Sequence, residues 1–201
     1  MGTGESGGYD PHVELAKAAI RAYVTSASEI SVSGGAAHYP DGRPCTPPGI
    51  DLSALLGVRA GVFVTIHKKG SLRGCIGTIS AVRDSVAEEI VSNAISACSR
   101  DPRFSPVRPE ELADLTVGVD VLSEAEPVSS PAELDAARYG VIVSRGYRRG
   151  LLLPNLEGVG DVASQLRIAL SKAGIDPSEK YRIERFEVVR HELGGAMGAH
   201  G

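Results

Sequence analysis

The 201-residue chain contains no tryptophan, and its large aromatic rings are limited to six tyrosines and three phenylalanines. Its core must therefore be aliphatic, and hydrophobic residues at 42% of the chain are enough for one substantial domain. Long apolar runs are missing too. No stretch approaches the roughly 20 apolar residues of a helical span, so no membrane partner is expected. Nor is there an excess of positive charge. Against 25 acidic residues stand 21 basic ones, a formal charge of −4, whereas polyanion binders rely on clustered cations to neutralise phosphates. Nucleic acid is thus not an expected partner.

Cysteines number three, Cys45, Cys75 and Cys98, an odd and scattered set that favours reduced thiols over a disulfide framework. Residues Met1 to Asp10 are glycine-rich and acidic, with neither the basic nor the apolar region of a secretory signal. The expectation is a cytoplasmic protein with reduced thiols. The histidines, His12, His38, His67, His191 and His200, stand singly without metal-ligand spacing, so no metal is assigned. "GVGDVA", residues 158–163, imitates a dinucleotide fingerprint. The strand before it reads as part of a hairpin, however, and Asp161 would set a carboxylate where a pyrophosphate belongs. No cofactor is expected.

Hairpins and helices alternate along the chain. Asp10 and Pro11 open a helix on which Val13, Ala16, Ile20 and Val24 recur at helical spacing. Residues 31–49, rich in Gly, Ser and Pro, read as a loop. "GVFVTIHKKGSLRGCIGTIS" reads as a β-hairpin, and Ser85 with Glu88 caps a helix ending near Ser99. "LTVGVDVLS" alternates as a half-buried strand. "YGVIVSRGYRRGLLLPNL" is a second hairpin turning near Gly146. A helix from Asp161 to a terminal Gly174 and one closing strand, "KYRIERFEVVRHEL", complete the chain. The lack of a regular βαβ rhythm predicts an α+β fold, a mainly antiparallel sheet with packed helices. A single domain is expected over 1–201, ordered across about 12–190, with flexible glycine-rich ends.

Residues 72–78, "LRGCIGT", hold the chemistry. By strand alternation Leu72, Gly74, Ile76 and Thr78 share one face and Arg73, Cys75 and Gly77 the other. A cation two residues from a thiol favours thiolate, and glycines in a strand let a ligand or another backbone come close. Cys75 is therefore a candidate nucleophile, and Arg73, Gly74 and Gly77 are candidate binding residues. Packing is the competing account, since cysteine often behaves as a small buried hydrophobe and no histidine base lies nearby in sequence.

"LRGCIGT" resembles the signature of the AMMECR domain family, protein A of the AmmeMemoRadiSam system. "GVFVTI", "DPRFSPV", "GLLLPN" and "KAGI" match it in order over about residues 12–190. The resemblance implies an α+β protein with one main lobe and one smaller lobe, the signature lying near a cleft. It also implies genomic company with a MEMO-like protein of the extradiol-dioxygenase type and a radical SAM enzyme. No established reaction comes with it. Through the matched motifs, Asp101 and Arg103 of "DPRF" and Asn155 of "LLLPN" join the candidate binding residues. Arg103 suits bidentate recognition of a carboxylate or phosphate, and the competing account is a pair bracing its own loop. Two functions stand open. One is a binding module whose Arg73/Cys75 cleft takes a small anionic ligand or a partner segment. The other is an enzyme with Cys75 as reactive thiol.

Overall fold

The computed structural model describes residues 9–156 and 158–192; the glycine-rich ends expected to be flexible lie outside them. Two compact units divide the chain, residues 1–121 with 190–201, and residues 122–189.

The first unit opens with helix α1, Pro11–Ser26, and the Asp10 carboxylate accepts the N–H groups of His12 and Val13 at its N-terminus. The stretch expected to be a loop forms a small hairpin, β1 (Ser31–Ser33) and β2 (Ala36–His38), turning through Gly34 and Gly35 at positive φ. A short helix, α2 (Ser53–Leu56), leads into the long hairpin of β3 (Val62–Lys68) and β4 (Ser71–Gly77). Lys69 and Gly70 close its turn with φ of 49° and 83°, the left-handed pair that suits a tight two-residue connection. Helix α3 (Val86–Ser99) follows, started by Ser85 Oγ accepting the Glu88 N–H at 3.2 Å. A 3-10 turn over Pro109–Asp114 then delivers β5 (Leu115–Leu122).

In the second unit, β6 (Glu126–Val128), β7 (Gly140–Arg145) and β8 (Arg148–Leu152) precede helix α4 (Val162–Ala173), with β9 (Arg182–Phe186) after it. Their sheet order is β6-β9-β7-β8, all antiparallel. Val141, Val143 and Leu152 pack with Leu166 and Leu170 of α4 in an aliphatic core. The expected single closing strand is divided: after β9 the chain continues as β10 (Val188–Glu192), which joins the first sheet beside β5. Its sequence contains no glycine or proline to announce the break.

The first sheet runs β10-β5-β3-β4, so β4 is an edge strand. One face, with Val62, Val64 and Ile66, lies on the aliphatic core of α1 and α3, built by Val13, Ile20, Ile90 and Ala94. Gly74 permits this packing, because a Cβ there would overlap the backbone carbonyl of Ala97 on α3. The second unit repeats the device, with Gly150 of β8 against the carbonyl of Ala169 on α4. In each case the helix backbone leaves no room for a side chain.

Gly74→Ala should therefore lower unfolding free energy by about 2 kcal/mol or more, since only a backbone shift relieves the overlap. Gly57→Ala, with open space at its Cβ and no positive φ, should stay within about 0.5 kcal/mol of the parent. Urea unfolding of both variants checks this, and equal losses would contradict it.

Candidate functional site

As an edge strand, β4 leaves backbone groups without a strand partner, and the chain after α3 supplies one. The Cys75 N–H donates to Asp101 Oδ2 at 2.9 Å, and the Cys75 carbonyl accepts Arg103 Nη2 at 3.3 Å. Asp101, buried, also accepts the Arg103 N–H, Nε and Nη2, the last at 2.7 Å. These bonds, led by that of the Arg103 side chain, hold the Asp101 carboxyl well below the usual carboxylate range. Arg103 is 54% exposed, and no hydrogen bond among the described residues uses its Nη1.

Arg73 is bound differently. Its Nε and Nη2 meet the two carboxylate oxygens of Glu111, both at 3.0 Å, while Nη1 and Nη2 donate to the carbonyls of Ser105 and Pro106. This bidentate clamp leaves the guanidinium only 13% exposed. Glu111 also takes Lys68 Nζ at 2.9 Å and the Arg108 N–H at 2.9 Å. With Arg73 contributing most, its pKa falls from 4.5 to about 2. Both arginines lie over the Phe104 ring, Arg73 at 6.0 Å and Arg103 at 5.4 Å from its centroid.

Cys75 is half-buried, opposite Thr65 on β3, with its Sγ 3.3 Å from Thr65 Oγ1. His67 is not beside it: a bulge after Ile66 pairs His67 with Leu72. The cation that meets this residue is Arg103, through the bond from its Nη2 to the Cys75 carbonyl. Burial pushes the Cys98 thiol up to about 11. Burial likewise pushes Cys45 up to about 11. Cys75, Thr65 and Gly118 of β5 form a row across three strands on the sheet face turned away from α3.

The other candidates differ in surroundings. The space beside Gly77 is filled by the Phe63 ring. The signature's last residue, Thr78, donates at 2.9 Å to the buried Glu89, which also accepts the Val82 and Arg83 N–H groups and fixes the loop after β4. Asn155 belongs to the second unit, at a φ of 51°, with its N–H donated to the Ala136 carbonyl at 2.9 Å. Sequence reasoning had no signal for Thr65 and Glu111, which reach the site through strand register and a turn 38 residues after Arg73.

The profile of the AMMECR1 family matches residues 13–191, spanning both units. The chain belongs to the AMMECR1 family. It is 46% identical over 183 residues to Protein CA_C1420 of Clostridium acetobutylicum, covering 91% of this chain and 36% of that relative. The chain thus spans about a third of the clostridial protein's length. A protein of Thermotoga maritima is 56% identical over 136 residues, 67% of this chain and 78% of its own. The crystal structure of uncharacterized protein PH0010 from Pyrococcus horikoshii matches with a TM-score of 0.77 at 30% identity, covering 93% of this chain and 92% of that one. No described helix is long and apolar enough to cross a membrane.

The depressed Glu111 carboxyl contributes stability that is complete above its ordinary pKa of 4.5 and lost as pH falls toward about 2. Between these values unfolding free energy should drop by about 2 kcal/mol through Glu111, with Asp101 adding to the same acid limb. Glu111→Gln should be less stable at neutral pH and show a shallower acid limb. Denaturant unfolding at several pH values checks it, and parallel curves would remove Glu111 from the acid response.

Proposed function

We propose that the β4 edge is a binding site for a small anionic group, a free ligand's or a partner segment's carboxylate or phosphate, received by Arg103 beside Cys75. The observation that carries this reading is the Arg103 guanidinium. It is oriented by Asp101 and the Cys75 carbonyl, half in solvent, with Nη1 left for an incoming acceptor. Arg73 spends its donors on Glu111 and two carbonyls, so its part is to hold the loop bearing Phe104 and Arg103. Gly74 and Gly77 keep β4 close to α3 and to Phe63. In this reading the chain is a non-catalytic module that works with partner enzymes of the MEMO-like and radical SAM types. The clostridial relative, of which this chain matches 36%, is long enough to carry a further module in the same polypeptide.

Titration of the labelled protein with inorganic phosphate and with malonate, followed by NMR, tests the site. Saturable shifts should centre on Cys75, Asp101 and Arg103, and Arg103→Ala should weaken them at least about tenfold, the loss of a charge-assisted bond. Shifts unaffected by Arg103→Ala would overturn the reading.

A second reading, Cys75 as a nucleophile, draws support from the Thr65 contact, the nearby Arg103 guanidinium and the raised pKa values of the other two thiols. It lacks a base. Asp101 is committed to Arg103 and the Cys75 N–H, and among the described residues no histidine hydrogen-bonds the sulfur. Alkylation near neutral pH should label Cys75 ahead of Cys45 and Cys98. A Ser at 75 retains the hydrogen bond to Thr65, so Cys75→Ser should fold with a nearly unchanged Tm. Cellular function surviving in that variant favours the binding module; its loss with anion binding intact favours the thiol.

A further inference from the structure

At the other edge of the first sheet, β10 returns to the start of α1 and brings together residues 181 positions apart. His191 Nδ1 lies 2.7 Å from Asp10 Oδ2, and His12 Nδ1 lies 3.1 Å from Asp10 Oδ1. The two imidazole rings stack with centroids 3.6 Å apart and an interplanar angle of 20°. All three side chains are between 17% and 24% exposed, shielded but reachable from solvent. Taken singly in the sequence, these histidines gave no metal pattern; the fold makes them a group.

The charge balance of this group is unusual. One carboxylate neutralises one imidazolium, and a second stacked against it would be repelled at close range. A divalent ion satisfies all three donors together, because neutral imidazoles and a carboxylate are its ordinary ligands. We propose that Asp10, His12 and His191 bind one zinc-class divalent transition-metal ion through Asp10 Oδ2 and the two Nδ1 atoms. One donor atom from each of the three residues lies within 4.8 Å of the other two. Bonds of about 2.0–2.2 Å place neighbouring ligand atoms roughly 3–3.5 Å apart, so the donors suit one ion once the rings swing out of their stack to converge on it. Each neutral ring then carries its proton on Nε2.

The second oxygen of Asp10 is already fixed. Oδ1 accepts the His12 N–H at 2.8 Å and the Val13 N–H at 3.4 Å, so the start of α1 holds the carboxylate while Oδ2 faces His191. Two nitrogens and one oxygen favour zinc, cobalt or ferrous ions over calcium or magnesium, which prefer oxygen alone. Three protein ligands leave at least one position for water, the arrangement of an exchange-open site rather than a closed structural one. His191 sits on β10 and Cys75 on β4, opposite edges of the sheet, so this site does not depend on the anion site.

The test uses the untagged full chain, stripped with chelator and titrated with ZnCl2 by calorimetry and with CoCl2 by visible absorption. One ion per chain should bind with a Kd in the micromolar range or tighter. Cobalt should give the strong d–d bands of a four- or five-coordinate centre without thiolate charge transfer, and imidazole NMR should report Nε2–H tautomers at both rings. Asp10→Asn, which keeps the helix cap, and His191→Gln should each weaken binding at least tenfold at unchanged Tm, while Cys45→Ser should leave it intact. Absence of binding, equal affinity in these variants, or a preference for magnesium would overturn the proposal.

Discussion

The absence of a side chain at residue 74 is the constraint on which the rest of the first unit depends. With hydrogen in place of a Cβ, β4 settles onto the Ala97 carbonyl of α3, and the hairpin closes over the aliphatic core. That contact sets the height of the whole edge strand above the helix. It also determines where Cys75 presents its N–H, its carbonyl and its sulfur. A methyl group would lift the strand away from the carboxylate that receives its N–H. The second unit solves the same problem with Gly150 and α4, so a glycine in the second strand of a hairpin, pressed on a helix, recurs within one chain.

Two carboxylates then divide the work around β4. Glu111 gathers Arg73, Lys68 and the Arg108 N–H, tying the strand to the 3-10 turn before β5. Asp101 gathers Arg103 and the backbone of Cys75, closing an edge otherwise open to another strand. Both acids stay ionised well below ordinary carboxylate pH because cations and N–H groups converge on them. The arginines differ in what remains: Arg73 is consumed, whereas Arg103 keeps one nitrogen toward solvent. Phe104, in contact with both guanidiniums, links the two clusters.

The elements with local signals were legible in the sequence. Asp10 and Pro11 start α1, Ser85 starts α3, Asp161 starts α4 and Gly174 ends it at a φ of 64°, each as its chemistry requires. Both long hairpins were legible from alternation and from Gly70 and Gly146. The β1–β2 hairpin was not, because its strands are three residues long and lie in a run of Gly, Ser and Pro. The division of the last strand was hidden because "RIERFEVVRHE" has a continuous strand pattern and Glu187 has nothing of a turn residue.

The candidate residues Arg73, Cys75, Asp101 and Arg103 were named from the sequence, but not which cation meets which partner. Strand alternation placed Arg73 and Cys75 on one face, and that much is a local property of a pleated chain. Whether a cation two residues away acts on the thiol depends on which acid captures it first. Glu111 does so from 38 residues on, leaving Arg103 as the cation that bonds the Cys75 carbonyl. Asp10, His12 and His191 show the same division more sharply. Two of them signal a helix start and the third a strand, and only the return of β10 to α1 makes them neighbours. The sequence by itself determined the caps, turns and alternating faces, because these arise from contacts within a few residues. The tertiary structure alone decided the partners of each charge, because electrostatic pairing depends on distance in space and is indifferent to distance along the chain.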